Sequence, residues 1–65
     1  MGDLLTERQR EVVALLAQGF GPAAIAERLG LTLPTVRNHI SASLRRLGCH
    51  SQLEAVAVAR RRELV

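Results

Sequence analysis

The side chains with the most chemistry to offer are Arg37, Asn38, Ser41 and Arg45, with Thr35 beside them. Helical spacing sets Asn38, Ser41 and Arg45 along one side, flanked by Arg37 and Thr35. They supply hydrogen-bond donors, amide and hydroxyl acceptors and fixed positive charge, but no nucleophile next to a general base. Such a set recognises a surface; it does not make or break bonds.

A second constellation, His39 with Cys49 and His50, has the right atoms for a metal or a thiol–imidazole pair. It lacks a fourth ligand and the clustered spacing of a metal site. Cys49 reads as a small core plug, and His39 either packs at the flank of its helix or touches a phosphate. No cofactor loop is present and no enzyme activity is expected.

The polar set needs one helix to hold it, over residues 33–47. Val36, Ile40, Leu44 and Leu47 form its buried stripe, with Leu33 placed near the same stripe. Thr32 is positioned as N-cap, Pro34 is tolerated in the first turn, and Gly48 gives a left-handed stop. Before it, Thr6-x-x-Gln9 has capping-box spacing after Leu4-Leu5 and opens a helix over about 7–18, with Val12, Val13, Leu16 and Ala17 inward. Phe20-Gly21-Pro22 connects to a short helix over 22–29, with Ile25, Ala26 and Leu29 inward, closed by Gly30. After it, Ser51-x-x-Glu54 has capping-box spacing and opens a helix over 52–62. Ala55, Val56 and Ala59 point one way on that helix, and Leu53, Ala57 and Arg61 stack roughly opposite.

Composition agrees with an all-α fold. The apolar residues are mostly Leu, Ala and Val, with one Phe and no Trp or Tyr. A 65-residue chain is one domain, 1–65, with a small core, burying only ~60% of its unfolded surface. All nine cationic residues are Arg. Residues 1–27 sum to −2 and residues 28–65 to +5, so the positive field lies with the polar-faced helix and suits a polyanion. A single cysteine forms no internal disulfide, and no apolar run reaches the ~18 residues of a membrane span, so a cytoplasmic setting without a membrane partner fits. No apolar run follows a signal-peptide pattern.

The run from Ile25 to Val36 is the most informative spacing. Ala26 is small where two helices approach, Gly30 makes a sharp turn, Leu31 plugs it, and Val36 anchors the next helix. These are the needs of a helix-turn-helix, whose second helix enters a DNA major groove. Bundles also contain such crossed pairs.

The chain resembles the LuxR-type (GerE-like) DNA-binding domain, a four-helix module of bacterial regulators. Leu5-Thr6-Glu7-Arg8 with Glu11-Val12-Val13 is similar to that family's opening motif, and Leu16-Ala17-Gln18-Gly19 to the end of its first helix. Ile25-Ala26, Leu29 and the run Thr35-Val36-Arg37-Asn38-His39-Ile40 are similar to its central signature, with Leu47-Gly48, Ala55 and Ala59 following in register. The resemblance implies an all-α fold whose second and third helices form the helix-turn-helix. It also implies sequence-specific binding of double-stranded DNA, transcription regulation and a homodimer. By position, Arg37, Asn38 and Ser41 become base-edge candidates. Arginine can fork onto guanine and asparagine can pair bidentately with adenine. Thr32, Thr35, His39, Arg45 and Arg46 become backbone contacts, and Leu53, Ala57 and Arg61 the dimer seam. The Arg60-Arg61-Arg62 run either steers DNA or remains solvated at the end of its own helix.

Departures from the family matter as well. Gly21-Pro22-Ala23-Ala24 replaces a polar stretch that caps the second helix and helps hold phosphate, and Ser41 is shorter than the usual side chain there. Gln9 and Gln52 stand where the family often has Glu and Arg, which would make them an amide pair if they face each other. These changes support a competing reading, a protein-interaction module of the same fold that binds a regulator or an RNA polymerase subunit.

Overall fold

Each helix in this chain starts and stops where its cap chemistry dictates. The computed structural model describes residues 5–65; Leu4 and the Met1-Gly2-Asp3 start lie outside the described residues. Four helices follow one another: α1 (Glu7–Ala17), α2 (Pro22–Leu29), α3 (Leu33–Leu47) and α4 (Gln52–Arg61). No strand occurs among the described residues. The fold is the all-α helix-turn-helix architecture expected from the sequence.

The Thr6 hydroxyl accepts from the Gln9 amide at 3.1 Å, and the Gln9 side-chain oxygen accepts from the Thr6 amide at 3.0 Å, completing a capping box. Thr32 caps α3 by accepting from the Thr35 amide at 3.3 Å, and Pro34 sits in the first turn. At α4 the Ser51 hydroxyl accepts from the Glu54 amide at 3.1 Å. The Glu54 carboxylate reaches one residue further back than the box requires and accepts from the His50 amide at 2.9 Å. That arrangement replaces the reciprocal box expected from spacing.

All four helices close with one device. The amides of Phe20, Leu31, Cys49 and Leu64 each bond back five residues, to the carbonyls of Leu15, Ala26, Leu44 and Ala59, at 2.8–3.0 Å. The residue before each has positive φ: Gly19, Gly30, Gly48 and, without a glycine, Glu63 at 58°. This is the Schellman closure, in which the chain reverses and the following apolar residue folds onto the helix it has just left. Phe20 and Leu31 thus join one core cluster, Cys49 and Leu64 the other.

The core has two lobes divided by α1. Val12 belongs to the lobe with Ile25, Ala26, Val36 and Ile40; its neighbour Val13 faces the lobe with Leu5, Leu47, Cys49, Ala55, Val58 and Ala59. Leu44 of α3 packs against both lobes. α1 and α3 pack on each other and on both remaining helices, while α2 and α4 are not packed together. α3 is therefore held from three sides with its fourth side open.

The structure adjusts which residues lie inward. Val58 is buried in α4 while Val56 is half-buried, which rotates the inward stripe to Ala55, Val58 and Ala59. Ser43 is enclosed at 1% exposure, its hydroxyl donating to the His39 carbonyl at 2.7 Å. A serine can lie inside when its own helix satisfies it. Leu33 is only half-buried and belongs to neither lobe, because its place in the first turn carries it past the end of the stripe.

Candidate nucleic-acid interface

The open side of α3 carries Arg37, Asn38, Ser41 and Arg45, all exposed, while Val36, Ile40 and Leu47 fix the opposite side in the core. Arg37, Ser41 and Arg45 stand at successive four-residue steps and so run down the helix in one line. Arg46 is also exposed. His39 is half-buried on the flank, its carbonyl engaged by Ser43.

Thr32 and Thr35 are coupled at the start of α3. The Thr32 hydroxyl donates to the Thr35 hydroxyl oxygen at 2.9 Å while accepting from the Thr35 amide. Both hydrogen-bonding functions of Thr32 are turned inward to the cap, which leaves the Thr35 hydroxyl proton as the donor available outward.

Beside this face lies the start of α2. Gly21 caps it without a side-chain hydrogen bond and Pro22 occupies the first position. An open depression joins Pro22 to Arg37, Ile40, Ser41, Leu44 and Gln52. Gln52, considered from the sequence only as a partner for Gln9, thus stands next to the polar face. Its spacing from α3 along the chain gave no signal, because only the turn at Gly48 brings the start of α4 back beside α3.

The polar side of one helix, carried by a two-helix turn and backed by the other helices, coincides with a family-wide sequence match. The family model of bacterial regulatory proteins, luxR family, matches residues 3–59. The chain belongs to the LuxR family.

Two relatives illustrate the range. Spore germination protein GerE of Bacillus subtilis is 45% identical over 53 residues, covering 82% of this chain and 72% of that protein. Response regulator protein VraR of Staphylococcus aureus is 33% identical over 63 residues, covering 97% of this chain but 30% of that protein. Among solved structures, the transcription factor GerE superposes with a TM-score of 0.89 at 33% identity, covering 97% of this chain and 94% of that one. The response regulator ChrA of a heme-sensing two-component system superposes with a TM-score of 0.91 at 26% identity, covering all of this chain and 32% of that one. The chain therefore spans most of GerE and under a third of the two response regulators. GerE is named as a transcription factor, and VraR and ChrA as response regulators.

Within the LuxR-type fold the remaining candidates fall on separate surfaces. Leu53, Ala57 and Arg61 are all exposed along the outer side of α4, Leu53 at 82%. Leu53 borders an open depression with Leu16, Phe20, Gln52 and Val56. Gln9 is buried and engaged with Thr6, whereas Gln52 is exposed beside α3, so the two do not form the amide pair considered from the family pattern. Cys49 is buried, its thiol 3.6 Å from the Leu47 carbonyl. No three His, Cys, Asp or Glu side chains come together to hold a metal ion among the described residues. No helix among them is long and apolar enough to cross a membrane.

Arg28 and Arg60 make contacts between separate elements. Arg28 lies over the Phe20 ring, 4.8 Å from its centroid, tying the end of α2 to the α1–α2 connection. Arg60 donates to the Ala17 carbonyl at 2.8 Å. All three arginines of the terminal run are exposed, and Arg60 is in addition bonded to the end of α1.

Proposed function

We propose that this domain binds duplex DNA in a sequence-specific manner and regulates transcription in the bacterial cytoplasm, with α3 in the major groove. The observation that carries the reading is the exposed line of Arg37, Ser41 and Arg45, with Asn38 beside it, on a helix whose other sides are held by the core. The groove, about 12 Å wide, admits one helix with its side chains. Arg37 and Asn38 carry direct readout, with Ser41 as a short third contact. Thr35, His39, Arg45 and Arg46 set the register on the phosphates, and Thr32 contributes by orienting Thr35. Membership in a family of regulators supports this assignment. No catalytic role is given to any residue.

The domain acts as a homodimer on an inverted repeat, joined through Leu53, Ala57 and Arg61 of α4. The support is the 82% exposure of Leu53 beside the small Ala57, which lets two helices approach closely.

The test is selection of bound duplexes from a randomised library at near-physiological salt, with Arg37→Ala in parallel. An enriched inverted repeat that loses one position in the variant fits the reading. A second reading, an interaction module for a regulator or RNA polymerase subunit, is favoured by the start of α2, which offers no side-chain polar group at Gly21, Pro22, Ala23 or Ala24. No enrichment, or only weak binding lost with modest salt, removes the sequence-specific reading and turns the search to a protein partner.

A further inference from the structure

Leu33 and Pro34 form an apolar shelf on the first turn of α3, bordered one turn on by Arg37 and Asn38, and the four residues enclose a shallow open depression. Pro34 is exposed and Leu33 is half-buried outside both core lobes, in contrast to Leu29, Leu31 and Leu44, which pack against the core. Starting the helix accounts for the proline, whose missing N–H costs nothing in the first turn. It does not account for a leucine that the core leaves half-exposed. The shelf is continuous with the two side chains assigned to base readout, and recognition helices meet base edges with their N-terminal residues. In the major groove the apolar group that a base pair displays is the thymine 5-methyl, which stands beside the O4 acceptor. A depression with an apolar floor and a guanidinium and an amide on its rim complements that pairing. An apolar side chain of a protein partner would leave the charged rim unmatched.

We propose that the Leu33–Pro34 shelf is a specificity determinant that takes the 5-methyl group of a thymine next to the base pair contacted by Arg37 or Asn38. The inference rests on the duplex-binding reading above and adds to it a hydrophobic contact that selects T at one position of each half-site.

The experiment replaces each thymine of the selected duplex in turn by deoxyuridine, which removes the methyl and keeps the Watson–Crick pairing. Binding is read by fluorescence anisotropy at fixed salt, for the wild type, Leu33→Ser and Pro34→Ser, with helix content checked by circular dichroism. Uracil at one position per half-site weakens the wild type about fourfold, the transfer value of one buried methyl, and changes at least one shelf variant by less than twofold. If the duplex is bound specifically but no thymine responds, or the response is unchanged in both variants, the shelf is not a methyl site and the duplex reading stands. If no duplex is enriched, both fall together.

Discussion

The Arg60 guanidinium donates from α4 to the Ala17 carbonyl at the C-terminal end of α1, 2.8 Å away. α1 has no basic residue in its own last turn, so a cation from 43 positions along the chain complements the negative end of its dipole. Arg60→Met, which keeps the stem and removes the charge, lowers stability by about 0.5–1 kcal/mol. In a domain of this size each kcal/mol is a fall of roughly 4–8 °C in Tm. Because Arg60 is exposed, the difference from wild type shrinks as salt rises. An unchanged Tm at low salt would contradict the contact.

Glu63 stands where the other three helices place glycine, with φ 58° and Leu64 bonded back to Ala59 at 2.8 Å. A side chain with a Cβ is strained there. Glu63→Gly relieves that strain and stabilises by about 0.5–1 kcal/mol, after the added freedom of the unfolded glycine is counted. Chemical denaturation with an unchanged m-value is the check.

Ser43 donates to the His39 carbonyl, already part of the helix ladder, from an enclosed position. Ser43→Ala gives up that bond but gains helix propensity, so stability stays within about 0.5 kcal/mol of wild type. Ser43→Leu overfills the site and costs about 1–3 kcal/mol. Similar stabilities for the two variants would mean that the site is open.

Arg37 and Arg45 share a line on α3 but differ in assigned task. Arg37→Ala costs about 1–3 kcal/mol on the preferred duplex and relaxes one base position, whereas Arg45→Ala weakens all sequences alike and lowers the salt slope by about one. Equal loss on every sequence for Arg37→Ala would remove its base-reading role.

Leu53 contributes little to the monomer, being 82% exposed. Leu53→Asp therefore leaves the monomer's stability within about 0.5 kcal/mol. On the proposed dimer it removes self-association, checked by analytical ultracentrifugation, and with it the preference for two half-sites over one. A variant that still dimerises would place the seam elsewhere.

Local chemistry made much of this protein legible in its sequence. Caps at Thr6, Thr32 and Ser51 and left-handed stops at Gly30 and Gly48 act over a few residues, so their positions mark the helices directly. The stripe of Val36, Ile40 and Leu47 fixed which side of α3 turns inward, and with it the exposure of Arg37, Asn38, Ser41 and Arg45. Tertiary structure alone decided what depends on crossings between distant segments. It put Arg60 on the end of α1, brought Gln52 beside Arg37 and Ser41, and exchanged Val58 for Val56 in the core. It also enclosed Ser43 and left Leu33 outside both lobes. Periodicity gives the apolar side of a helix to within a residue, but the angle at which helices cross selects which side chain at that margin is covered.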